Sequence, residues 1–407
     1  MSGAFVGLDF PFVKEVMAGV VAVGSFAYTC YRAGKKKGNA SDKAEIASLE
    51  QKLTALSDDR RRVTDRLAQL EDVVRDPQDF WLRSPDPTIL ADHQERQSNS
   101  IPIVCVVNFK GGVGKTTICA NLAAYFASLG KRVLMIDCDY QGSLSDTVLA
   151  HARVENFRAI AHHLIEGKER AEELRRAAER LSSIDSRMWI YPAFYDYSRA
   201  EIQMMFRWLI GQNEEIRYNM SDYLQSPPFM ASSDTGFDIV LIDAPPRLLT
   251  GVVNALTAST HVLVPTILDG QSHIATLNTI GAIKQFRQKL NPNLKLLGVV
   301  PSLVSSAAGY NSREQEFMEE LEHHVGSHYD SPVPILKNRP IWRREELSKA
   351  GGREIFCSTD ANTRTAREIR EMFAKLGDYV AENVRWRMAD AATHVALPGQ
   401  AKVRAHQ

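Results

Sequence analysis

From Ile103 the chain reads Ile103-Val104-Cys105-Val106-Val107, then Asn108-Phe109-Lys110-Gly111-Gly112-Val113-Gly114-Lys115-Thr116-Thr117, then an apolar helical pattern from Ile118 to Leu129. A β-branched run, a glycine loop and a helix start, in that order, are what a polyphosphate needs from a chain. The glycines let main-chain N–H groups approach phosphate oxygens, and the helix N-terminus adds its positive dipole at the same point. Lys115 falls where β- and γ-phosphates would lie, and the Thr116 hydroxyl where Mg²⁺ would. Lys110 brings a second cation to the same loop. The strict spacing G-x-x-x-x-G-K-[ST] is not met, because Phe109 stands at its first glycine.

Carboxylates follow in two places. Val133-Leu134-Met135-Ile136 has buried-strand character and runs into Asp137-Cys138-Asp139-Tyr140-Gln141-Gly142-Ser143. Phe237-Asp238-Ile239-Val240-Leu241-Ile242-Asp243-Ala244-Pro245-Pro246 repeats the pattern, with Asp243 at the strand end. In a parallel sheet such strand ends lie beside the phosphate loop, where Mg²⁺ and an attacking water must be. Any one of these aspartates reads as readily as a turn or helix cap; three in this order after the loop make a constellation.

The segment Lys110-Gly-Gly-Val-Gly-Lys115-Thr-Thr resembles the deviant Walker A loop of the ParA/MinD ATPases. Asp137 to Ser143 is similar to that family's D-x-D-x-Q-G-[NS] segment, the ParA branch more than the MinD branch, and Phe237 to Pro246 looks like its Walker B strand. Met188 to Ala193 followed by Glu201, and Asn254 to Ala258 followed by Val262 to Pro265, match further along, so the resemblance spans about Ile101 to Val384. It implies ATP and Mg²⁺ as cofactors, bound by Lys110, Gly111, Gly112, Val113, Gly114, Lys115, Thr116 and Thr117. It implies that Lys110 reaches the phosphates of a second chain, so that ATP favours a closed homodimer and ADP its separation. Asp139 would position or polarise the water, Asp137 would support the metal shell, and Asp243 would hold Mg²⁺ through water. Hydrolysis would be slow and stimulated by a protein partner. The family contacts adenine from loops that here read Pro301-Ser302 and Asn338-Arg339-Pro340, residues that read equally as turn formers.

Elements must hold these groups in place. Strands are expected also at Leu296 to Val300 and Val333 to Leu336, and Ile369, Met372, Phe373, Leu376, Val380 and Val384 give a final amphipathic helix. Alternating strands and helices predict an α/β fold, a mostly parallel doubly wound P-loop NTPase sheet with helices on both faces.

The 407 residues carry 49 Lys+Arg against 49 Asp+Glu, so no whole-molecule field draws nucleic acid or an anionic membrane. With 44% hydrophobic and 24% charged residues the chain is neither disordered nor a disulfide scaffold. Its five cysteines form no C-x-x-C pair, as expected of a reduced cytosolic body.

Residues 1–31 read as an N-terminal membrane anchor. Val16 to Tyr31 carries no charge and would span about 24 Å as a helix, and extension through Phe12 and Val13 brings it to bilayer length. Arg32, Lys35, Lys36 and Lys37, in a basic linker over 32–40, mark the cytoplasmic side. The expected location is a bacterial inner membrane, single-pass, with the ATPase domain in the cytoplasm. An amphipathic helix and a buried helix of the soluble fold are the alternatives. Over 41–76, Ile46, Leu49, Leu53, Leu56, Arg60, Val63, Leu67, Leu70 and Val74 keep a 3,4 spacing that predicts a coiled coil, or else one helix packed on its own domain. Residues 77–100 read as a linker, 101–390 as the ATPase domain and 391–407 as a flexible tail.

From Lys337 onward basic residues outnumber acidic ones fourteen to nine. Arg364 and Arg367 have Glu368 and Glu371 at helical spacing, which favours a solvated face over DNA contact. Glu166 to Arg180 reads as one exposed helix with opposite-charge pairs. His323, His324, His328 and Asp330, and the pair His162-His163, read as solvated helix ends rather than metal sites. The favoured reading is a membrane-tethered ATPase switch for positioning, assembly or signalling. A capsule-type tyrosine kinase is the runner-up, although the tail to Gln407 lacks its tyrosine cluster, and a scaffold with little hydrolysis is the third.

Overall fold

The computed structural model describes residues 47–48, 50–62, 64–65, 80–210, 215–230, 236–306, 309–329, 331–349, 355–359 and 361–384. The chain divides into two compact units, Met1–Pro77 and Gln78–Gln407. In the first, the described residues 47–48, 50–62 and 64–65 are helical, with Leu53 and Leu56 exposed. The expected anchor over 12–31, the basic linker over 32–40, the other apolar positions of the expected coil and the tail over 391–407 lie outside the described residues. Among the described residues no helix is long and apolar enough to cross a membrane.

The second unit runs α1 (Pro87–Ser98), β1 (Ile103–Val106), α2 (Lys115–Ser128), β2 (Val133–Asp137), α3 (Ser143–Ala152), α4 (His163–Glu166), α5 (Ala171–Arg176), β3 (Glu179–Arg180) and β4 (Met188–Tyr191). It continues through α6 (Tyr195–Ile210), α7 (Asn219–Leu224), β5 (Ile239–Asp243), α8 (Thr250–Ala258), β6 (His261–Thr266), α9 (Gly270–Lys289) and β7 (Lys295–Val304). α10 (Ser312–His328), β8 (Ile341–Trp342), α11 (Glu345–Lys349) and α12 (Arg364–Asn383) complete it. The strands lie in the order β3-β4-β2-β5-β1-β6-β7-β8. Only the β3–β4 pair is antiparallel.

Every residue of β1, β2 and β5 is buried, which is why these strands read as continuous apolar runs and not as alternating ones. Val104 and Val106 face a core built with α2, α3 and α12. Ile103 and Cys105, one residue out of phase, are buried on the opposite face, where α8 packs against β1. On α12 the stripe Ile369, Met372, Phe373, Leu376 and Val380 is buried, as its spacing predicts.

Three sequence expectations are corrected. Of the linker expected over 77–100, the described residues 80–100 are part of the domain: Phe80, Trp81 and Leu82 are buried, and Gln97 Nε2 donates to the Ser259 carbonyl at 2.8 Å. Pro87 starts a helix here: it sits at the first position of α1, where a missing N–H costs nothing, behind an Asp86 cap that accepts from Thr88 N at 2.8 Å. Second, Glu166 to Arg180 is not one helix: α4 stops at Gly167, α5 is short, and β3 forms a sheet edge. Arg175 there lies 4.0 Å over the Phe237 ring, an attachment that charge patterning does not reveal. Third, Val333 to Leu336 makes a single bridge, Val299 with Ile335, because Pro332 and Pro334 lack the N–H groups a ladder needs. The outer strand is β8, paired with β7 at Ser302 and Val304.

Candidate functional site

β1, β2 and β5 are neighbours that end on one edge of the sheet, and the register places Asp137 directly beside Asp243. The loop after β1 is fixed by Asn108, which is fully buried. Its Nδ2 donates to the Pro265 carbonyl at 2.8 Å and to Thr276 Oγ1 at 3.1 Å, while its Oδ1 accepts from Lys110 N at 2.9 Å. Gly114 closes the loop at φ 86° as the N-cap of α2. A Cβ there would lie 2.8 Å from Ser302 Oγ, so both backbone conformation and space require glycine.

Lys115 is buried, and its ammonium donates to the carbonyls of Lys110 (2.9 Å) and Asn108 (3.2 Å). Burial lowers its pKa, opposed by the carboxylates of Asp243 and Asp139. The Thr116 hydroxyl donates to Asp243 Oδ2 at 2.6 Å. Asp243 Oδ1 is buried with no hydrogen-bond partner. A cavity of about 340 Å³ opens here, lined among others by Gly111, Gly112, Gly114, Lys115, Thr116, Thr117, Asp139, Asp243, Ser302 and Leu303. A charged buried oxygen left unsatisfied is costly, and a hydrated divalent cation beside a threonine hydroxyl would satisfy it, so Thr116 and Asp243 fit Mg²⁺.

Three expected site residues stand apart from that cavity wall. Val113 is packed in the interior. Lys110 turns to the start of α9, where its ammonium meets Asp269 Oδ1 at 3.1 Å and Ser272 Oγ at 2.8 Å. Asp137 lies behind the wall: Oδ2 accepts from Ser145 N (2.9 Å) and Ser145 Oγ (2.7 Å), and Oδ1 accepts from Asp139 N (3.0 Å). With both oxygens engaged by protein donors, Asp137 braces the loop that carries Asp139. Burial first, then the adjacent Asp243, pushes the Asp137 carboxyl well up, and burial raises Asp243 as well, against the pull of Thr116 and Lys115. Gly142 completes the brace at φ 63°, where a Cβ would meet the Ala193 carbonyl at 2.7 Å.

Asn108, Asp269, Ser272 and Ser145 escape a motif reading. The only sequence signal for Asp269 is its place as a helix cap, accepting from Ser272 N at 2.7 Å. Of the two loops where the resemblance implies base contact, which read equally as turns, Ser302 of the first and its neighbour Leu303 reach the cavity, whereas Asn338, Arg339 and Pro340 are not among its lining residues. Leu303 holds φ 54°, a strained conformation for a leucine, at the point where the β7–β8 register shifts.

Glu201 on α6 is buried and accepts from Gly251 N at 3.0 Å. Burial pushes its carboxyl up to about 7. A raised folded-state pKa means that this group's contribution to stability is complete below the ordinary glutamate value and is lost as pH rises through 7. Glu201→Gln keeps the acceptor without the charge. It is expected to raise the melting temperature at about pH 8 by at least 4 °C, from a penalty on the order of 3 kcal/mol, and to change it far less near pH 5. Calorimetry at both pH values checks this; an equal shift at both would contradict it.

Sheet order, glycine loop, buried lysine and paired carboxylates together define a P-loop nucleotide-binding α/β domain. A family model described as an AAA domain matches residues 101–296. The chromosome-partitioning ATPase Soj of Thermus thermophilus is 33% identical over 223 residues, 55% of this chain and 76% of that protein. The chromosome partitioning protein ParA of Caulobacter vibrioides is 31% identical over 238 residues, 58% and 82% of the two chains. Among solved structures, cobyrinic acid a,c-diamide synthase from Mycobacterium smegmatis with bound ATP analogue and magnesium aligns with TM-score 0.52 at 27% identity, covering 69% of this chain and 94% of the other. McdA of Cyanothece, at 17% identity and TM-score 0.55, covers 69% and 99% and shares the fold. The chain belongs to the ParA-like family of P-loop ATPases.

Proposed function

We propose that this protein is a membrane-tethered, ATP-hydrolysing switch whose ATP state is a closed homodimer. The observation that carries the reading is the convergence of Lys115, Thr116, Asp139 and Asp243 on one cavity, with Lys110 held beside it and not in it. Loop amides and Lys115 bind the β- and γ-phosphates of ATP, and Leu303, Ile341 and Leu347 give the cavity an apolar side suited to a base. Mg²⁺ held by Thr116 and Asp243 would neutralise phosphate charge. Asp139 orients the attacking water, and no covalent enzyme intermediate is needed.

Lys110 gives the switch its dimer dependence. Its present partners, Asp269 and Ser272, sit on the same chain, so it must leave them to reach a second chain's triphosphate. A charge-assisted contact to a triphosphate outcompetes one exposed carboxylate, and loss of the γ-phosphate returns the lysine. Such a switch gains from slow hydrolysis that a protein partner accelerates. Residues 12–31 as a single inner-membrane anchor and 41–76 as a coiled coil would keep the two chains together, with the ATPase domain on the cytoplasmic side. Chromosome partitioning, the role printed for the Soj and ParA relatives, supports an output in positioning, although tethering favours assembly or signalling at the membrane. DNA contact through the C-terminal arginines is less favoured, since Glu368 already engages Arg344 (2.6 Å) and Arg364 (2.9 Å).

Light scattering on the Gln78–Gln407 unit tests the central claim. A dimer is expected with ATP and not with ADP, and Lys110→Ala is expected to abolish it while single-site ATP binding persists. A mass indifferent to nucleotide would remove the proposal.

A further inference from the structure

The pair His162-His163, which sequence alone reads as a solvated helix end, lies in a cluster with chemistry of its own. Ligand atoms of His162, His163 and Glu166 all lie within 4.8 Å of one another. The two imidazole centroids are 4.1 Å apart. His163 Nδ1 is buried and makes no hydrogen bond, yet Glu166 Oε2 stands 3.5 Å from it and Glu169 Oε1 3.6 Å. We propose that His162, His163, Glu166 and Glu169 bind a divalent transition-metal ion, zinc being the class that fits best. The site lies outside the nucleotide cavity and does not rest on the reading of that cavity.

The donor set decides the metal class. Two imidazole nitrogens with carboxylate oxygens suit zinc, whereas Mg²⁺ and Ca²⁺ take oxygen ligands. Tetrahedral zinc with bonds of about 2.0–2.2 Å needs its donors about 3.4 Å apart. The ligand atoms of His162, His163 and Glu166 therefore need to close by at most about 1.4 Å, a distance side-chain rotation can cover. The backbone beneath is already fixed. Ile160 N and Ala161 N both donate to the Pro192 carbonyl at 3.0 Å, Asn219 Nδ2 donates to the Ile165 carbonyl at 2.8 Å, and Tyr223 OH donates to the Glu169 carbonyl at 2.7 Å.

Charge points the same way. Two carboxylates crowd one imidazole, and the nearby cation, Lys168, contacts only Glu166 Oε1, at 3.5 Å. Burial and the adjacent His163 lower the pKa of His162, against Glu166, Asp196 and Glu169. A bound ion would tie α4 and the turn at 167–170 into one body beside the end of β4.

The full-length protein, stripped with chelator and kept in excess Mg²⁺ to occupy Thr116 and Asp243, is titrated with Co²⁺ and followed by visible absorption. One equivalent with the intensity of four-coordinate cobalt is expected, displaced by Zn²⁺. His163→Ala is expected to weaken binding at least about a hundredfold, and Glu166→Gln at least about tenfold, since even outer-shell losses reach that scale. His324→Ala, in the separate cluster His273, His323 and His324, should leave the titration unchanged. Because Glu166→Gln preserves shape, it decides the matter where His163→Ala fails to fold. No stoichiometric uptake, uptake untouched by Glu166→Gln, or uptake lost in His324→Ala would overturn the proposal.

Discussion

Replacing Lys115 with alanine is expected to cut ATP turnover by about 10²–10³-fold, measured as phosphate release at saturating ATP and Mg²⁺. The magnitude follows from the work assigned to this ammonium. Phosphoryl transfer offers the protein little covalent chemistry, so rate comes from positioning and from charge placed where charge develops. Removal of one preorganised donor of this kind costs about two to three decades. Lys115 is preorganised in this sense: it is buried, aimed by the carbonyls of Lys110 and Asn108, and under the field of Asp243 and Asp139. Lys110→Ala should separate from it. That substitution removes a group whose resting partners are Asp269 and Ser272, so it should impair dimer-dependent turnover while ATP still binds one chain. A Lys115→Ala protein that retains more than a tenth of wild-type turnover would contradict the assignment.

Much of this site is legible in the sequence because its chemistry requires residues in a fixed local order. A phosphate loop must follow a strand and open a helix, and Lys110 to Thr117 do so within one segment. Asp139 and Asp243 are found because strand ends of a parallel sheet converge, and buried strands announce themselves as apolar runs. What escapes the sequence depends on contacts between segments far apart in the chain. Asp269 reaches Lys110 from 159 positions away, and Asn108 meets Pro265 and Thr276 from comparable distances. No local pattern encodes such partners. Asp137 shows the converse limit: its place in the motif is legible, but its Ser145 bonds, which turn it from the cavity to the loop, appear only with the helix start folded over it.

The misread linker has the same cause and the second large consequence. Prolines and polar residues around 77–100 resemble a spacer, yet the start of the segment is anchored by a distant arginine, in addition to the Gln97 bond to Ser259. Arg217 is 1% exposed. Its guanidinium donates to the Trp81 carbonyl at 2.8 Å and the Arg83 carbonyl at 2.5 Å, pairs with both oxygens of Glu215, and lies 4.5 Å over the Trp208 ring. Arg217→Ala leaves a nearly buried carboxylate without its counter-ion and two carbonyls without donors. Breaking a buried pair by removing one partner costs about 3–5 kcal/mol, more than the loss of one surface ion pair. Denaturant unfolding should therefore show a loss of at least 3 kcal/mol, with Trp81 moving into water before the sheet melts. Adding Glu215→Gln should return part of the loss, because it removes the uncompensated charge and keeps the shape. A loss below about 1 kcal/mol would show that Arg217 does not hold the segment. The same attachment governs where the ATPase domain begins: a protein starting at Ile101 loses Trp81, α1 and both carbonyl anchors of Arg217, so it should unfold at lower denaturant than one starting at Gln78.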